Sequence, residues 1–451
     1  MDRRGISLCL SAIVSGALLT LSATGALALA APPVSAPTSS SQVAAPAEPK
    51  PEQPALPEGT EPSAADPQVT PASAQAPPRP SGSTAAQVPA TQEPPPTGEP
   101  RLVIHGFLNQ AFGRSGKHQI LGIPTQGTFD YRTLAIQFRY AITGSDTMVI
   151  QLANKRLGAS PFMQIQPDVA VGWAFYEHKF ADGTAVRVGK VQIPLGIYNE
   201  IRYVGTLLPF YRPPFGFYQE GAFMSETVNG VVANRMFDLG NWTLDASVYG
   251  GGWEWADNGL SASPVVMRAD VRNGFGTQLW LETPVTGLRL GLGGHRGTVS
   301  GGVIWVDGSD NFTSWNASLD GSFERFTIRG EYRVIDLGPY LSPPTPGYFD
   351  GSKVEAYYGQ VGLKLTEKLT ANVQADLVNI EVTNAYGFPG VLQRDMNRDY
   401  AVGLNYAFHP WLVLKGEYHR TKGFWIEDEP IFIWGEPVEA NYSIVSLAVS
   451  F

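Results

Sequence analysis

From Arg101 to Phe451 the chain alternates apolar or aromatic residues with polar or small ones, with a period of two, over segments of about ten residues. The last segment sets Asn441, Ser443, Val445, Leu447, Val449 and Phe451 on one face and Tyr442, Ile444, Ser446, Ala448 and Ser450 on the other. Leu369, Ala371, Val373, Ala375 and Leu377 alternate in the same way with Thr370, Asn372, Gln374 and Asp376. Phe326, Ile328, Gly330, Tyr332 and Val334 alternate with Thr327, Arg329, Glu331 and Arg333. The pattern predicts about 16 strands, roughly 102–112, 129–142, 147–157, 169–180, 184–193, 226–237, 241–251, 274–283, 287–296, 311–321, 325–335, 353–365, 368–380, 398–408, 411–421 and 440–451.

The breaks between these segments alternate in length. Short ones such as Ala181-Asp182-Gly183, Asp238-Leu239-Gly240 and Thr366-Glu367 are interleaved with long ones such as Gly252–Asn273, Asp336–Ser352 and Thr421–Glu439. One rim of tight turns and one of extended loops is the pattern of an outer-membrane barrel. A soluble β-sandwich would need a second sheet over rows such as Tyr400, Val402, Leu404, Tyr406 and Phe408. The predicted fold is all-β, a transmembrane antiparallel β-barrel of about 16 strands, which leaves an aqueous lumen. An even strand count puts both ends of the barrel on the rim of short turns, the periplasmic one.

Composition changes the picture only before residue 100. No Phe, Tyr or Trp precedes Phe107. Residues 1–30 carry Arg3 and Arg4, an apolar run from Ile6 to Leu21, and the small-residue sites Ala26-Leu27-Ala28 and Ala28-Leu29-Ala30, which together read as an export signal. Residues 31–100 are Pro, Ala, Ser, Thr, Gln and Glu almost throughout and read as a disordered Pro/Ala-rich periplasmic tether. Too little apolar surface is present there to offset the entropy of ordering. The barrel takes 101–451. A chain with the signal fused near residue 100 is therefore expected to fold with unchanged thermal stability, and a large drop in melting temperature would show that the tether braces the barrel. The single cysteine, Cys9, lies inside the signal, so disulfides, thiol catalysis and zinc–thiolate sites are not expected. The net charge of -9 speaks against a nucleic-acid partner.

The segment Val186-Arg187-Val188-Gly189-Lys190-Val191-Gln192-Ile193-Pro194-Leu195-Gly196-Ile197-Tyr198-Asn199-Glu200 resembles the fifth strand and loop start of the general and phosphate-selective porin-like families, and Ala174–Phe180 resembles their fourth strand. No lysine and arginine ladder of the phosphate-selective type accompanies it. The resemblance implies a sixteen-stranded outer-membrane porin whose third loop, here Pro194 to Ser225, folds into the pore; a loop packed over the outer mouth is the alternative. The constriction charges would be Glu200, Arg202, Arg212 and Glu220, which at a narrow point should outweigh charges on the wall. The wall set by strand parity includes Arg139, Lys155, Arg187, Arg289, Arg329, Glu331, Arg333, Lys415 and Glu417, with Lys179, Lys364, Asp245, Glu282, Asp320 and Asp376 on the same faces. Its slight basic excess gives a weak anion preference.

The expected function is passive diffusion of small hydrophilic solutes or ions. Alternatives are an anion- or sugar-selective channel, a barrel enzyme, or a structural tether to the cell wall. Trp253 and Trp255, with Trp425 and Trp434, are candidate sugar platforms or interface anchors, and Glu427-Asp428-Glu429 is a candidate bridge to lipopolysaccharide through divalent cations. Ser446 or Ser450 with His419 is the only Ser/His combination worth naming for a barrel enzyme, and neither a metal motif nor a nucleophile turn is present. Catalysis, cofactors and metals are not expected. The expected partners are outer-membrane lipid and lipopolysaccharide, the barrel assembly machinery reading the terminal Phe451, and small hydrophilic solutes. Further candidates are peptidoglycan reached by the tether and two more copies in a homotrimer.

Overall fold

The computed structural model of the chain describes residues 101–165, 167–218, 226–257, 267–301, 305–337, 351–384, 390–428 and 435–451. The predicted signal and tether, as well as Glu220, Glu429 and Trp434, lie outside the described residues.

The sixteen strands are β1 (Arg101–Ser115), β2 (Thr128–Ala141), β3 (Asp146–Leu157), β4 (Ala170–Lys179), β5 (Ala185–Gln192), β6 (Thr227–Leu239), β7 (Trp242–Asp257), β8 (Met267–Glu282), β9 (Leu288–Gly301), β10 (Trp305–Ser322), β11 (Phe326–Leu337), β12 (Gly351–Lys364), β13 (Leu369–Thr383), β14 (Val391–His409), β15 (Leu412–Gly423) and β16 (Val438–Ser450). Each pairs antiparallel with its sequence neighbours, and β1 pairs with β16 to close the barrel. The seam is completed beyond the last strand: the Gly106 N–H donates to the Phe451 carbonyl at 2.8 Å, and the Phe451 N–H donates back to Gly106 at 3.0 Å. Closure leaves no sheet edge, the condition for putting strands in hydrocarbon.

Several strands run further than the alternation predicts, most of them toward the rim of long loops. The stretch Gly252–Asn273 reads as a loop, yet β7 continues to Asp257 and β8 begins at Met267. The glycine run marks a bulge. The pairing register shifts between Gly251 and Trp253 and again between Arg272 and Phe275, with Gly251 at φ 152 and Asn273 at φ 52, and the ladder resumes beyond each. On the opposite rim the turns are tight, and at Gly240 (φ 70) a left-handed residue lets β6 reverse directly into β7.

The two faces of the wall are inverted relative to a soluble protein. Tyr400, Val402, Leu404, Tyr406 and Phe408 on β14 point outward with 39 % to 55 % of their surface exposed. Asn109, Gln151, Gln278, Asn316, Gln374 and Asp376 point inward and are buried. An apolar outer belt over a polar interior suits lipid outside and polar contents inside.

Candidate functional site

Polar groups on the inner wall pair across strand registers. Arg289 on β9, Asp320 on β10 and Arg329 on β11 are register partners. One carboxylate therefore accepts from two guanidiniums, from Arg289 Nε at 3.0 Å and from Arg329 Nε at 2.9 Å. On β4 Glu177 accepts from Arg187 Nε at 2.8 Å, with Arg139 and Lys179 at 4.0 Å and 3.9 Å. Aromatic faces back these cations: Arg187 lies over Phe175, Arg289 over Trp280 and Arg329 over Tyr198.

The described part of the connection from β5 to β6, up to Tyr218, lies inside the barrel, because the side chains that hold it belong to the inner wall. Gly196 at φ 56 turns the chain inward, where any Cβ would run into Glu331 and Tyr218. Gly196 N–H donates to Gln278 on β8 at 3.3 Å, and Ile197 N–H to Glu331 on β11 at 3.1 Å. Glu331 also accepts from the hydroxyls of Tyr218 and Tyr358. Further on, Lys415 on β15 donates to the carbonyls of Gly205, Leu208 and Phe210 at 2.5, 2.6 and 3.1 Å. Asn405 on β14 donates to Pro209 O at 2.9 Å, Asn109 on β1 to Tyr211 O at 3.0 Å, and Glu417 accepts from Tyr211 N–H at 3.2 Å. A helical turn, Phe215–Tyr218, then meets Asp376 on β13 through Gly216 N–H at 2.8 Å and Arg333 on β11 through Phe217 O at 3.1 Å. Irregular backbone needs such partners when water is excluded. The loop's apolar side chains Leu195, Ile197, Ile201, Leu208, Phe210 and Phe217 are buried, so it packs as a core within the lumen.

The predicted site residues fall into two groups. Glu331, Arg333, Lys415 and Glu417 stand on the inner face but direct their polar atoms at the loop, and all are buried. Lys155 joins them indirectly: it reaches Glu226 at 2.7 Å, as does Arg202 at 2.8 Å. Arg202 is thus an ion-paired, buried cation lying against Tyr218, not an open constriction charge. Arg212 stacks between Tyr131 and Phe215. Arg139, Arg187 and Glu200 keep roughly 30 % side-chain exposure, with Arg187 Nη1 3.9 Å from Glu200. Glu226 was missed because it opens the predicted strand 226–237, where parity fails; β6 begins one residue later, at Thr227.

Other candidates resolve locally. Trp253 is buried on the inner face, edge-on to His295 and Phe312, so it offers no platform to a sugar. Trp425 packs against Phe215. Glu427 accepts from Gly122 N–H, Gln119 and Ser160 and ties three loops together. Burial pushes its carboxyl above the ordinary carboxylate range, against those hydrogen bonds. His419 bonds to Asp399 at 2.7 Å and stacks on Tyr442, while Ser446 stands opposite Lys415 in the register.

No protein-family profile matches the chain, and no curated protein sequence does. Solved structures do match. OmpT, an outer-membrane protein of Vibrio cholerae in its trimer form, is 11 % identical with a TM-score of 0.50 over 78 % of this chain and 100 % of its own. Salmonella typhi OmpF in complex with daunomycin is 13 % identical, with a TM-score of 0.51 over 78 % and 97 %. An anion-selective porin from Comamonas acidovorans is 10 % identical, with a TM-score of 0.50 over 78 % and 100 %. The fold is that of the sixteen-stranded outer-membrane porins. Within the porin fold, the segment between β5 and β6 takes the position of the third loop, counting the first at the β1–β2 connection.

Proposed function

We propose that this chain is an outer-membrane porin that carries small hydrophilic solutes through a path narrowed by its third loop. The observation that carries the reading is a polar inner wall whose side chains hold that loop across the lumen from its root. The rim of short turns faces the periplasm, with the tether on that side, and lipopolysaccharide and lipid meet the apolar belt. A homotrimer is the proposed assembly, the form in which the similar Vibrio protein is described. Catalysis has no part in this reading.

A weak preference for small anions follows from the charge groups of the inner wall. Arg139, Lys179 and Arg187 surround the buried Glu177, with Glu200 3.9 Å from Arg187, and Arg289 with Arg329 share Asp320. Cations outnumber carboxylates in both groups. Reconstitution in a planar bilayer tests both claims. Discrete current steps are expected, with a reversal potential in a salt gradient on the anion side. R139Q/R187Q is expected to lower the anion-to-cation permeability ratio about twofold to threefold, since these charges act within a Debye length of about 8 Å. A purified, folded barrel that gives no steps would end the porin reading, and an unmoved reversal potential would remove these arginines from the selectivity argument.

A further inference from the structure

Lys415 lies on the inner wall but does not behave as a lumen charge. Its side chain is only 1 % exposed, and all three ammonium donors are spent on loop carbonyls, those of Gly205, Leu208 and Phe210. The segment it holds begins as a single 3-10 turn, Gly205–Leu207, too short to satisfy its own carbonyls. Two residues along the same strand face, Glu417 accepts the Tyr211 N–H and so holds the same stretch of loop. Further ties of this stretch include the single hydrogen bonds of Asn405 to Pro209, Asn109 to Tyr211, and Thr206 Oγ1 to Ser450 Oγ at 3.3 Å.

We propose that Lys415 is the positioning residue of the constriction: it docks residues 205–210 against the wall opposite the loop's root and so fixes the width of the path. This rests on the porin reading given above. A buried lysine whose donors are all filled by loop carbonyls contributes to geometry and little to ion choice. Its loss should widen and loosen the path without reversing its preference.

The test is single-channel recording of Lys415→Met in the full-length protein. Conductance is expected to rise at least about twofold, with frequent flicker, while the reversal potential stays where it was. Lys415→Gln, which keeps two N–H donors, should fall between, and it carries the test alone if the Met variant does not assemble. A staple isolates the loop as the cause. With T206C and S450C added to K415M, the oxidised channel is expected to return to the wild-type conductance and to widen again on reduction. A second arm needs no current. Leu208 is 2 % exposed, so a cysteine placed there by L208C should resist a soluble maleimide in the wild-type background and react at least about tenfold faster beside K415M. Unchanged conductance and labelling would overturn the proposal. So would a rise in conductance that the staple does not reverse, or a shift of reversal potential at constant conductance, which is how a lumen charge behaves. Absence of any channel in the wild-type protein would strike the porin reading instead, and the labelling rates would still decide the role of Lys415.

Discussion

Excising residues 196–224 and closing the gap with a short Gly-Ser turn is expected to raise single-channel conductance roughly threefold or more, because sixteen strands enclose far more space than side chains on the wall can fill. The barrel itself should survive as a heat-modifiable band. Every strand finds its backbone partners in its two neighbours, and none of those ladders passes through the loop. Removing the loop uncovers Glu331, Arg333, Asp376, Lys415 and Glu417, but it uncovers them to water, which solvates charged groups at least as well as the loop does. Unchanged conductance would mean that the loop does not stand in the path. Failure of the barrel to fold would mean that the loop's buried Leu195, Ile197 and Phe217 are needed as a core.

Deleting Phe451 is expected to lower the yield of folded protein at least about tenfold, with little effect on the conductance of those channels that do form. Phe451 supplies two of the hydrogen bonds that join the chain's ends, at 2.8 and 3.0 Å to Gly106. Its ring lies directly over that glycine, so closely that a Cβ at 106 would collide with it. The residue is 76 % exposed on the outer face, where an aromatic ring meets lipid. Gly106→Val should reproduce part of the loss by pushing the ring away, and quantifying the heat-modifiable band measures both. Wild-type surface abundance of the truncated chain would remove Phe451 from the assembly step.

The wall was legible because its chemistry repeats every second residue. Tyr442, Ile444 and Ser446 on β16 occupy the inner face and Val445 and Leu447 the outer, as the alternation predicts. Where glycine interrupts the pattern, as at Gly250-Gly251-Gly252, the chain looks broken although the ladder only bulges. The loop was marked out by its length and resemblance, but the partners of its charges were not. Nothing local to Arg202 reveals that Glu226 neutralises it, since the loop must fold before the two meet. Lys415 reads as one more wall cation for the same reason: its partners are main-chain carbonyls roughly two hundred residues earlier, which carry no side-chain signal.

The docking site of the third loop has a consequence for the order in which the protein is made. Gly205 packs against Asn109 of β1 and Ala448 of β16, one on each side of the closing seam, and Thr206 reaches Ser450. Residues 205 and 206, written in the first half of the barrel sequence, therefore complete their berth only when the last strand has met the first. The seam that closes the ring is thus also the last part of the loop's seat to be made.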